Sequence, residues 1–168
     1  MKLLAFLAFL SLALMIRSDY IESGIYYIKN VKTGLYLNTC NTDICPKDPT
    51  NIWAYGFFGD EWQRFYVTKL ENGYYTITTA TVVKKNIESR YSYKPSKTLF
   101  LSSPDNYDQD QQFSIIPKGH KSFVIVPREL PDKAIESPLK ETEEVFLGKK
   151  DFYNKYQRFY FDRYYEKC

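Results

Sequence analysis

The stretch Gln63-Arg64-Phe65-Tyr66-Val67 returns as Gln111-Gln112-Phe113-Ser114-Ile115 and again as Gln157-Arg158-Phe159-Tyr160-Phe161. The steps between copies are 48 and 46 residues, and self-similarity at a nearly fixed step marks a repeat architecture. Within each copy the Phe is followed, two positions on, by Val67, Ile115 or Phe161. That alternation is what a strand with one face in a core requires.

Other strings recur in the same order. Tyr26-Tyr27-Ile28 is echoed by Tyr75-Thr76-Ile77 and Phe123-Val124-Ile125, and Ile-Glu-Ser at 87–89 returns at 135–137. Tyr36-Leu37 is matched to Phe100-Leu101 and Phe146-Leu147. Turn chemistry separates the copies at Asn72-Gly73 and Gly119-His120. The 16 Tyr and 12 Phe, with Thr, Val and Ile in short runs, favour strands over helices. Each copy reads as strand, turn, strand, loop and a strand opened by Gln-x-Phe. The copies span about 22–69, 70–117 and 118–165.

Three such repeats in an all-β chain resemble the ricin-B-type lectins, a family that closes each repeat with Gln-x-Trp; here Phe65, Phe113 and Phe159 replace the Trp. The resemblance implies a β-trefoil of three four-strand repeats with pseudo-threefold symmetry, a twelve-strand barrel with three capping hairpins. It also implies that Gln63, Gln111 and Gln157 are structural, satisfying loop backbone groups that would otherwise be buried unpaired.

The same resemblance places a candidate sugar site in the first copy. Asn38 ends the strand whose last residue is usually an Asp that holds a sugar, Asn51 and Trp53 form the polar-x-aromatic element, and Gln63 closes the copy. Trp53 would be the platform for the apolar face of a sugar ring. Trp62 stands where a sugar-contacting Asn is common, and Tyr36 and Tyr55 stand where many members carry a disulfide. On the Phe-Leu matching, only nine residues separate that string from Gln in the second and third copies. Those copies would lack the platform segment, with Ser102 and Gly148 at the polar strand end and long earlier loops at 78–99 and 126–145. Tyr91, Tyr93 and Lys94 would sit in the first of these loops. Packing of Trp53 between Ile52, Tyr55, Phe57 and Phe58 is the competing reading.

The chain begins with Lys2, an apolar run from Leu3 to Ile16, then Arg17 and Ser18. That pattern describes a secretory signal peptide over 1–18, too short to span a bilayer comfortably, followed by a single domain over 19–168. The expected location is therefore extracellular, with no membrane span after cleavage. Removing Lys2 and Arg17 leaves 21 basic against 20 acidic residues, which gives no footprint for nucleic acid. Cys40 and Cys45 form a candidate local disulfide, although sequence does not fix their pairing, and the odd Cys168 leaves a disulfide-linked dimer open.

Nothing in the residues supports catalysis, a metal or a cofactor. His120 is the only histidine and sits in a turn, and Asp105, Asp108 and Asp110 lie in a polar loop. Two functions remain. The first is binding of a glycan or glycoprotein at a cell surface, extracellular matrix or wall. The second is recognition of a protein target on a scaffold that has lost its sugar site, as a protease inhibitor, receptor ligand or wall or matrix component.

Overall fold

The computed structural model describes residues 20–39, 50–89 and 99–166. The signal peptide expected at 1–18, Cys40, Cys45 and Cys168, and Tyr91, Tyr93 and Lys94 lie outside them. The first copy supplies β1 (Gly24–Asn30), β2 (Tyr36–Thr39), β3 (Ile52–Tyr55) and β4 (Arg64–Lys69). The second supplies β5 (Tyr75–Thr79), β6 (Asn86–Glu88), β7 (Phe100–Ser102) and β8 (Phe113–Pro117). The third supplies β9 (Ser122–Pro127), β10 (Lys133–Glu136), a two-residue β11 (Glu143–Glu144), β12 (Phe146–Lys149) and β13 (Arg158–Arg163).

Six of these strands close on themselves. β1 pairs with β4, β4 with β5, β5 with β8, β8 with β9, β9 with β13 and β13 with β1, all antiparallel. Closure leaves the barrel without an unpaired edge. The hairpins β2–β3, β6–β7 and β10–β12 complete the three copies. The fold is a β-trefoil, with β11 as an added strand against β3.

The core follows from the repeat. Phe65, Phe113 and Phe159 are fully buried, as are Ile28, Ile77 and Ile125, one residue of each kind per copy. Hairpin residues Leu37, Ile87 and Ile135 join them, facing Ala54, Leu101 and Leu147 across the strands. Burying each Phe contributes about 2–3 kcal/mol. The Phe of each Gln-x-Phe triplet therefore fills the core.

Strand pairing corrects one matching made from sequence. Leu37 faces Ala54, Ile87 faces Leu101 and Ile135 faces Leu147. Phe100-Leu101 and Phe146-Leu147 thus correspond to Trp53-Ala54, not to Tyr36-Leu37. The counterparts of Tyr36-Leu37-Asn38 are Asn86-Ile87-Glu88 and Ala134-Ile135-Glu136. The segments 78–99 and 126–145 are accordingly not plain loops, because each contains one strand of a hairpin. Ser102 and Gly148 do not end the polar strand; they take the place of Tyr55 on the strand opposite.

Candidate functional site

Each repeat Gln ends a short 3-10 turn, at Glu61–Gln63, Gln109–Gln111 and Lys155–Gln157. Asp60, Asp108 and Asn154 cap these turns by accepting from the backbone N–H of Trp62, Asp110 and Tyr156. All three Gln side chains are buried and tie down the preceding loop. Gln63 Nε2 donates to Gly56 O at 2.6 Å, and its Oε1 accepts from Phe58 N at 2.7 Å. Gln111 likewise donates to Ser103 O and accepts from Asp105 N, and Gln157 donates to Lys149 O and accepts from Asp151 N. The residue after Gln adds a second tie, from Arg64 to Gly59 O, Gln112 to Asn106 O and Arg158 to Phe152 O.

A third tie joins this turn to the hairpin. Thr39 Oγ1 donates to Trp62 O, Ser89 N to Asp110 O and Ser137 N to Tyr156 O. Four further positions therefore correspond in space. Asn38, Glu88 and Glu136 take the same place at or next to the end of a hairpin strand, and Trp53, Phe100 and Phe146 face them directly across the pair. Trp62, Asp110 and Tyr156 precede Gln63, Gln111 and Gln157.

In the first copy Asn38, Asn51 and Trp53 share one face of β2–β3, and all three are buried, Trp53 at 2 % exposure. The β11 strand lies along β3 with Glu144 opposite Trp53, and Asn51 Nδ2 donates to Glu144 Oε1 at 3.0 Å. Asn51 Oδ1 is buried without a hydrogen-bond partner. Gln63 spends both ends of its amide on the loop 56–59 and makes no bond to Asn38. A sugar ring could reach the Trp53 indole only if that face were uncovered.

The third copy is arranged differently. Gln157 Nε2 donates to Glu136 Oε2 at 2.8 Å, holding the carboxylate beside Phe146. Glu136, Phe146 and Tyr156 are all partly exposed. Gly148 makes room for this carboxylate, because a Cβ there would collide with Glu136 Oε2 and reach 3.0 Å from Gln157 Nε2. The second copy has the same pair in a looser form, with Gln111 Nε2 at 3.5 Å from Glu88 Oε2 and Glu88 itself buried. Sequence reasoning passed over Glu88 and Glu136, although the recurring Ile-Glu-Ser strings carried them.

Two other surfaces border the first copy. A cleft of about 260 Å³ opens between the first and second copies, lined by Trp62, Leu101, Val82, Val83 and the hydroxyl-bearing Thr79 and Thr81. The Thr81 hydroxyl donates to Thr79 Oγ1 and Val83 O, so it is already engaged. On another side Phe57 and Phe58 stand 58 and 60 % exposed. Phe57 lies 5.2 Å from the Tyr27 ring and 5.0 Å from Tyr36, and Arg64 sits 4.2 Å over Tyr164. Its hydrogen bond to the Tyr27 hydroxyl raises the Arg64 pKa further, so the guanidinium stays charged. No group of three or more metal-ligating side chains occurs among the described residues.

Comparison with known proteins bears on the fold and the repeat. The family described as "Ricin-type beta-trefoil lectin domain-like" matches residues 14–92. No curated protein matches the sequence. Among solved structures, the designed threefold-symmetric protein ThreeFoil is 17 % identical, with a TM-score of 0.70 over 84 % of this chain and 99 % of its own. The Macrolepiota procera ricin B-like lectin, solved in complex with lactose, is 16 % identical, with a TM-score of 0.65 over 86 % of this chain and 98 % of its own. A mosquitocidal holotoxin is 14 % identical with a TM-score of 0.75; the match covers 87 % of this chain but only 18 % of the toxin chain. At these identities the solved structures establish a shared fold and nothing finer.

Proposed function

From its likeness to the ricin-type β-trefoil lectins, we propose that this chain binds carbohydrate, acts outside the cell and catalyses nothing. The observation that carries the proposal is the Glu136–Gln157 pair. A carboxylate held by a buried amide, on the strand directly opposite Phe146, offers a charged acceptor for sugar hydroxyls beside an aromatic ring. The lactose complex of the Macrolepiota procera lectin lends this reading support, because that protein shares the fold. We place the sugar in the third copy. The alternative in the first copy, built from Asn38, Asn51, Trp53 and Gln63, requires Trp53 to emerge from beneath its cover.

A glycan array probed with the protein, Glu136→Gln and Trp53→Ala tests both. Glu136→Gln keeps an acceptor for Gln157 and removes only the charge, so binding should weaken about tenfold while the fold survives. Trp53→Ala should leave glycan binding in place. The opposite pattern would move the site to the first copy.

Recognition of a protein target is the second reading, and it is favoured by the exposed Phe57 and Phe58 beside Tyr27 and Tyr36. An array that stays silent for the folded protein would shift the function there.

A further inference from the structure

Phe152 carries two cations on one ring. Lys118 Nζ lies 3.4 Å from the ring centroid and Lys150 Nζ lies 5.6 Å from it. Among the described residues, the other cations seated on aromatic rings each have a ring without a second lysine, and the arginines among them are tied elsewhere. Arg64 donates to Gly59 O, Arg128 to Gln112 and Arg163 to Glu22. Among the described residues the ion pairs within 4 Å are Lys133–Asp132 and Arg163–Glu22, so Lys118, Lys149 and Lys150 have no carboxylate partner there. Lys150 Nζ donates to Pro131 O. Lys118 makes no side-chain hydrogen bond within this set, so the N–H groups turned away from the Phe152 ring are open to a ligand.

Other basic residues belong to the same strand ends and loop. Lys149 faces Lys133 directly across the β10–β12 pair; Lys133 has Asp132 at 3.6 Å, whereas Lys149 has no carboxylate within 4 Å among the described residues. Arg158 donates twice to Phe152 O, from Nε and Nη2. Asp132 lies 3.6 Å from Lys133, Asp151 Oδ1 accepts from Tyr153 N, and neither carboxylate is within 4 Å of the Lys118 or Lys150 ammonium. The second copy shows that the fold does not need this charge. Its Gln111 and Gln112 make the same ties to Ser103 O and Asn106 O, and the positions of Lys149, Lys150 and Phe152 there hold Ser103, Pro104 and Asn106.

We propose that Lys118 and Lys150 on Phe152 form an anion-binding site for a sulfate or carboxylate substituent of an acidic glycan. The choice of a glycan rests on the carbohydrate-binding reading above; the anion chemistry rests on the lysines themselves. Such a site would sit in the same copy as Glu136 and would select acidic glycans over neutral ones by charge.

Immobilised heparin, a sulfated polysaccharide, is the probe, with elution by rising salt. The protein should be retained at 0.15 M salt, and the double variant Lys118→Gln/Lys150→Gln should bind about tenfold more weakly and with a shallower salt dependence. A Lys32→Gln/Lys84→Gln control, equal in charge, should behave as the parent. Thermal melts of all three proteins establish that they are folded. Absence of retention, or equal loss in both double variants, would overturn the site. Equal binding to phosphatidylserine vesicles would overturn the glycan as its ligand while keeping the anion. Neutral-glycan binding lost in Glu136→Gln but untouched in the lysine variant would leave the carbohydrate reading standing whatever heparin does.

Discussion

Where the first hairpin sets Tyr36 against Tyr55, the third sets Ala134 against Gly148, and where the first sets Asn38 against Trp53, the third sets Glu136 against Phe146. The backbone register is the same. In the first copy large side chains fill the outer face, and β11 from the third copy runs along β3 with Glu144 on Asn51. In the third copy small residues leave space, and a carboxylate occupies it. One scaffold position has thus become a packing contact in one copy and a partly exposed charged group in another. Pseudo-symmetry fixes where a site can be; the size of the neighbouring side chains decides whether it is open.

The comparison breaks most sharply at the glutamines. Gln157→Ala and Gln63→Ala should each cost about 3–5 kcal/mol in urea unfolding, because each strands buried loop groups. Only Gln157→Ala should also release a carboxylate, so in stabilising osmolyte it alone should abolish glycan binding. Equal loss of binding in both would mean that the loops, not Glu136, matter. Gly148→Ala comes next. The added methyl must push Glu136 off Gln157, for about 1–2 kcal/mol in stability and a larger relative loss of binding.

A smaller effect sharpens the first-copy side. Glu144→Ala leaves Asn51 Nδ2 buried without its partner, at about 1 kcal/mol. In a Trp62→Phe background it should make Trp53 more accessible to an aqueous quencher such as acrylamide. Unchanged quenching would show that Glu144 is not what covers the indole. The smallest effect concerns pH. Burial raises the Tyr75 hydroxyl above its ordinary pKa of 10.0, against a lowering by its bond to the Ile21 backbone, and burial does the same for Tyr26. A folded-state value above the unfolded one gives stability that is complete below about pH 10 and is lost as pH rises through the folded value. Tyr75→Phe should flatten that alkaline loss in unfolding curves; an unaltered slope would count against it.

The fold was legible because Gln-x-Phe couples two constraints that few other positions share. A buried amide must meet a loop, and a ring must fill the core two residues on, so chance rarely repeats the pair three times. The site was less legible. Both strands of a trefoil hairpin send an aliphatic residue inward next to a large residue facing out, as Tyr36-Leu37 and Phe146-Leu147 do. Cross-strand neighbours occupy one layer, so the two strands carry nearly the same string. Matching the wrong strand hid Glu136 and made Gly148 look like a lost ligand. The Glu144–Asn51 contact was beyond reach for another reason, since β11 comes from a loop some ninety residues later in the chain.

The closure of the barrel by β1 and β13 has a bearing on synthesis. Residues Tyr26–Asn30 find their partners in Phe159–Arg163, at the far end of the chain. While a ribosome is still making the third repeat, the first two can pair with each other, yet one side of β1 stays open. A nascent chain in that state offers a bare strand edge to any other nascent chain nearby. Stalling translation within 118–157 should therefore yield aggregates or chaperone-bound chains, while release of the finished chain lets the edge close within one molecule.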